Sequence, residues 1–98
     1  MLIMLYTFYD RVSLVKDNKI NIDLIVPGVD EKYNVFIPVN KTIGEVIVIL
    51  SNMVNELTSC FPYANTLCLL DVYDNKIYPF DIDVKSSGIK NGAVLALI

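Results

Sequence analysis

The sequence predicts an α+β domain with one helix lying across a face of a mixed sheet. Three observations carry that prediction. Stretches that alternate apolar and polar residues flank a single capped helical segment. From residue 19 onward the elements read β-β-α-β-β-β. The chain has 98 residues, enough for one domain whose modest core needs no disulfide or metal.

Residues 1–18 read as an apolar extension and residues 19–98 as the domain. In the extension Leu2, Met4, Tyr6 and Phe8 recur with a period of two, but Ile3, Leu5 and Tyr9 fill the other parity. Periodicity alone cannot separate a strand covered on both faces from a short buried helix. The Ile, Tyr, Thr and Phe content favours an added strand, within the chain or exchanged between two copies. Lys16, Asp17 and Asn18 then mark a turn.

The next two segments form an expected antiparallel hairpin. Ile20, Ile22, Leu24 and Val26 share one face, Asn21, Asp23 and Ile25 the other, and Pro27-Gly28 ends the strand. Tyr33, Val35, Ile37 and Val39 then point inward, with Asn34, Phe36 and Pro38 outward. Pro38 has no N–H for a ladder, which places this strand at an edge or at its own end.

Thr42-Ile43-Gly44-Glu45 is a capping box, so a helix starts here. Ile43, Val46, Ile47, Leu50, Met53, Val54 and Leu57 make its apolar stripe. Val48 stands alone among Gly44, Ser51, Asn52 and Asn55 on the polar face. Pro62 stops the helix.

A third strand covers Thr66 to Asp74, with Cys68, Leu70 and Val72 on one face and Leu67, Leu69, Asp71 and Tyr73 on the other. Asp74-Asn75-Lys76 is a turn before a very short fourth strand at Ile77 to Pro79. Lys85 to Gly88 and Lys90 to Gly92 punctuate the approach to the last strand, Ala93 to Ile98. The right-handed crossover rule places the first and fifth strands parallel in the middle of the sheet, which is the β-grasp arrangement.

Composition bounds the function. The apolar fraction is 54% and the mean hydropathy +0.50, which argues against disorder, and some apolar surface is expected to meet a partner. The net charge is −3 and the eight basic residues are scattered, which argues against nucleic acid as a partner. No stretch approaches the ~20 apolar residues that span a bilayer. The N-terminus lacks a basic region and a cleavage site. Membrane insertion is therefore not expected, and the expected location is cytoplasmic.

Cys60 and Cys68 read as two reduced thiols. The chain has no histidine, so a Cys–His nucleophile and a histidine-containing zinc site are excluded. Asp81 and Asp83 lie on one side of an extended stretch but are too few to complete a hard-metal site. No Gly-rich phosphate loop is present. An enzyme and a bound cofactor are not expected.

Residues 19–98 resemble a ubiquitin-like domain. The resemblance rests on the hairpin, the helix entered by "VNKTIGEV", the short strand after "YDNK" and the close "SGIKNGAVLALI". More narrowly, Ile89, Gly92, Leu95 and Leu97 are similar to the closing pattern of YukD-type ubiquitin-like proteins of Gram-positive type VII secretion systems, while Ala93 departs from its acidic position. Ubiquitin-like modifiers and sulfur carriers act through a flexible Gly-Gly carboxylate. Here the last glycine is Gly92, in a turn, and the sequence runs to Ile98 within the strand. The resemblance therefore implies a non-conjugating interaction module, with a protein partner that is a secretion-system component.

In ubiquitin-like folds partners commonly bind the open face of the sheet. The expected binding residues here are Leu67, Leu69, Ala96, Ile98 and Phe36, with Val48 on the helix and Ile25 near the hairpin. Two other readings stay open: residues 1–18 cover that face within the chain, or they join two copies as a homodimer. A structural or homo-oligomerising domain outside secretion, or less readily a thiol-dependent enzyme, is the alternative function.

Overall fold

Strict alternation sets the first two strands. β1 (Lys19–Val26) buries Ile22, Leu24 and Val26. β2 (Glu31–Pro38) buries Tyr33, Val35 and Ile37. They pair antiparallel from Lys19 opposite Pro38 to Val26 opposite Glu31. A 3-10 turn at Pro27–Val29 joins them, and Asp30 takes the left-handed φ of 55° that closes it. The structure, a computed structural model, describes residues 18–59 and 66–98. The expected N-terminal strand and Cys60 lie outside the described residues.

Helix α1 (Ile43–Thr58) begins as its capping box requires. The Glu45 N–H donates to Thr42 Oγ1 at 3.2 Å, and the Thr42 N–H donates to Glu45 Oε1 at 2.9 Å. These contacts hold the Glu45 carboxyl below the usual range, the bond from the Thr42 backbone being the largest cause. The helix buries Ile43, Val46, Ile47, Leu50 and Val54 against the sheet.

Two positions expected on its polar face are corrected. Ser51 is buried, and its hydroxyl donates to the Val48 carbonyl at 3.0 Å, so its polarity is satisfied within the helix. Gly44 faces the chain at Phe80. Its N–H donates to the Phe80 carbonyl at 2.9 Å, and a Cβ there would sit 3.3 Å from that oxygen. The small residue permits a close backbone approach.

β3 (Leu69–Asp71), β4 (Lys76–Ile77) and β5 (Ala93–Leu97) complete a five-stranded sheet of order β2-β1-β5-β3-β4. β1 and β5 run parallel in its centre, as the crossover rule requires. β2 is an edge strand, and Pro38 ends it.

One element was not expected. The stretch read as turn punctuation holds a single helical turn, α2 (Val84–Ser87). Its residues are turn formers by type. Tertiary bonds organise them: the Val84 and Lys85 N–H groups donate to the Lys41 and Val39 carbonyls at 2.9 and 3.0 Å. Gly88, at φ 88°, closes it.

The core lies between the sheet and α1. Ile22, Leu24, Leu50, Val46, Val54, Leu69, Val84, Leu95 and Leu97 form part of one buried cluster. The other sheet face carries the opposite parity of every strand.

Candidate protein-interaction surface

The strand register dictates what shares the open face. Ile25 of β1 lies opposite Ala96 of β5, Ala96 opposite Leu70 of β3, and Leu70 opposite Ile77 of β4. Cross-strand partners project to the same side, so these four side chains form one apolar row across four strands. Cys68, Val72, Val94 and Ile98 share its parity. Ile98 and Cys68 bond reciprocally: the Cys68 N–H reaches the Ile98 carbonyl at 2.7 Å, and the Ile98 N–H reaches the Cys68 carbonyl at 3.0 Å.

Exposure rises toward the β3–β4 side. Ile77 is 55% exposed, Ile98 46% and Val72 38%, whereas Ala96, small and flanked by Ile25 and Leu70, is buried. Single exposed apolar residues are ordinary. Here the exposed Ile77 continues into half-buried Leu70 and Ile25, and contiguous apolar surface marks an interaction site more often than a lone residue.

This register corrects the expected surface. Leu67 and Leu69 are not on the open face. Both are buried in the core, where Leu69 pairs with Leu97. The strand carries leucines on both parities, and Asp71 shares the parity of Leu67 and Leu69, which a charged residue on a strand would suggest is the wet one. The reverse holds because the Asp71 carboxylate is satisfied locally. It accepts from the Tyr73 N–H at 2.9 Å, the Asp74 N–H at 3.1 Å and the Tyr78 hydroxyl at 3.1 Å.

The bond from the Asp74 backbone, followed by the Tyr78 hydroxyl, holds the Asp71 carboxyl below the usual range. Burial, helped by that same carboxylate, pushes the Tyr78 phenol up to about 12. Leu70, Val72 and Ile77 take the place on the open face that was expected for Leu67 and Leu69. The signal that finds them is the pairing with Ala96, whose parity was read outward.

The other expected residues separate into two places. Phe36 is half-buried on the open face of β2, with Lys19 Nζ 6.0 Å from its ring centre. Val48 is 47% exposed but lies on α1, whose buried stripe packs on the opposite side of the sheet. It does not adjoin the row.

Between Phe36 and the row lies a polar patch. Asn21 and Asn34 exchange side-chain hydrogen bonds at 2.9 and 3.1 Å, and Asn34 also donates to the Asp23 carboxylate at 2.8 Å. The Asn21 N–H donates to Asn91 Oδ1 at 2.8 Å. Among the described residues no group of three or more metal-ligating side chains comes together, and no helix is long and apolar enough to cross a membrane.

The architecture is that of a ubiquitin-like β-grasp domain. No family model matches the chain, and no curated protein matches it. Solved structures do. The ubiquitin of Caldiarchaeum subterraneum overlays with a TM-score of 0.60 at 18% identity, over 82% of this chain and 91% of that one. The N-terminal ubiquitin-like domain of the 4931431F19Rik protein gives 0.60 at 16% identity, over 83% and 74%. A chain of the MycP5-free ESX-5 inner membrane complex gives 0.61 at 12% identity, over 83% of this chain and 21% of that one. At these identities the likeness is one of fold.

Proposed function

We propose that the protein is a non-catalytic, non-conjugating interaction module that binds a protein partner through the row Ile25–Ala96–Leu70–Ile77. The observation that carries this reading is the row itself: four strands contribute to it, and its β4 end is exposed. Fixed strands present it, so a partner meets a preformed surface and little ordering entropy opposes binding.

Two further observations fit. The Cys68 thiol has no histidine anywhere in the chain to activate it, and Asp71 is committed to its turn. Within this reading the partner is a component of a type VII secretion system. The YukD-like closing pattern and the likeness to a chain of an inner membrane complex support that choice.

Site-specific photo-crosslinking in the native host tests both parts. A photoreactive residue replaces Ile77 in one variant and Val48 in another. The expected result is a protein adduct from position 77, absent from position 48, in which mass spectrometry finds a secretion-system component. An adduct to a second copy of the chain would support the homo-oligomerising alternative instead. No adduct at position 77, or adducts only at position 48, would overturn the surface assignment.

A further inference from the structure

At the foot of β1, where the chain enters β5 beside it, one residue holds both halves of a reactive pair. Asn91-Gly92 is the only Asn-Gly step in the sequence. The Ala93 N–H donates to the Lys90 carbonyl at 3.0 Å, so Asn91 and Gly92 are the central residues of a tight turn, with Gly92 at φ 86°. Both are exposed to water. Such a step carries its own chemistry. Glycine has no Cβ to shield its nitrogen. Once that nitrogen loses its proton, it can attack the side-chain carbonyl of the asparagine before it.

Here Asn21 engages both reacting groups. The Gly92 N–H donates to the Asn21 carbonyl at 2.8 Å, and Asn91 Oδ1 accepts from the Asn21 N–H at 2.8 Å. The first bond keeps the proton on the nucleophile. The second ties down the amide, which must be free to present the face of its carbonyl carbon to the Gly92 nitrogen at about 3–3.5 Å. The Asn21 N–H also polarises that carbonyl, which by itself would favour attack. The nitrogen decides the outcome, because a polarised carbonyl has no attacker while the Gly92 proton is held.

We infer that Asn91-Gly92 is a deamidation site that the pairing of β1 with the entry to β5 keeps closed, and that it reacts when this pairing opens. The Gly92 nitrogen gives its proton to hydroxide and bonds to Asn91 Cγ. The Cγ–Nδ2 bond breaks, and ammonia leaves with a proton taken from water, which restores the hydroxide. The product is a five-membered cyclic imide, and a second water opens it. Cleavage of the new N–Cγ bond leaves aspartate. Cleavage of the original peptide bond leaves isoaspartate.

The two products differ in what they do to the fold. Aspartate keeps an oxygen for the Asn21 N–H. Isoaspartate lengthens the main chain by one carbon just before Ala93, which lies opposite Ile22 where the β1–β5 pairing starts. It therefore disturbs the centre of the sheet, and it accumulates in chains that have spent time open. None of this depends on the apolar row.

The test compares three samples at mildly alkaline pH: the folded full-length chain, the same chain unfolded in urea, and a peptide spanning Ser87 to Leu95. Mass spectrometry reads deamidation at position 91. The peptide and the unfolded chain should react at similar rates, and the folded chain at least about tenfold more slowly. The Gly92 amide of the folded chain should be protected from hydrogen exchange, and urea below the unfolding midpoint should speed exchange and deamidation together. A folded chain that reacts as fast as the peptide, a Gly92 amide that exchanges freely, or a peptide that does not react would overturn the inference. The isoaspartyl form, separated by chromatography, should melt below the intact chain, whereas Asn91→Asp should melt within a few degrees of it. An isoaspartyl form as stable as the intact chain would overturn the effect on the sheet.

Discussion

At the scale of single residues, Asp71 and Tyr78 show how a charged group sits on the core side of a strand. Three donors satisfy the carboxylate, and one of them is the hydroxyl of a tyrosine whose ring is buried. The Tyr78 phenol titrates at about 12 against an ordinary value of 10.0, chiefly because of burial. Its folded value is raised, so the stabilisation is complete below about 10 and is lost as pH rises toward about 12. Tyr33 is also raised by burial and contributes in the same direction. Tyr78→Phe should therefore lower the melting temperature at neutral pH, through the lost bond to Asp71. It should also flatten, without abolishing, the fall in melting temperature between pH 10 and 12. Differential scanning calorimetry across that range checks both effects. An unchanged alkaline limb would show that Tyr78 is not the group responsible. This pair was also the part of the surface least legible in the sequence. A charged residue on a strand argues that its face is wet, and nothing local reveals that a tyrosine seven residues on will satisfy it.

At the scale of elements, legibility tracked how one-sided each segment is. β1 and β2 carry most of their apolar residues on one parity, with Ile25 and Phe36 as exceptions, and the residues of that parity are the ones buried through most of their length. The capping box and the apolar stripe place α1 for the same kind of reason. β3 has three residues, with leucine on both parities, so only its pairing with β5 decides which leucine is buried. α2 is one turn long and held by bonds to Lys41 and Val39, which no local pattern encodes. The β3 assignment makes a sharp prediction. Leu69→Ala should cost roughly 2–5 kcal/mol as a core cavity, and Leu70→Ala about 1 kcal/mol, as a half-buried surface truncation. Urea unfolding of the two variants measures the difference. Equal losses, or the reverse order, would mean that β3 is one residue out of register.

At the scale of the whole molecule, the fold has two unlike faces. One is closed by α1 over a single core. The other presents a polar patch near the foot and an apolar row above it. The sequence made it clear that an open, partly apolar face exists, because Ala96, Ile98, Ile25 and Phe36 sit on the outward parity of their strands. It did not show which β3 residues join them, or that Val48 is remote from them. The apolar row is the central claim, and a binding measurement tests it most directly. The partner captured at position 77 is titrated calorimetrically against the wild-type chain, Ile77→Glu and Val48→Glu, all shown to melt within a few degrees of one another. Ile77→Glu should weaken binding at least tenfold, about 1.4 kcal/mol, while Val48→Glu stays close to wild type. Loss of binding in Val48→Glu with Ile77→Glu unaffected would contradict the account and move the interaction to the helix.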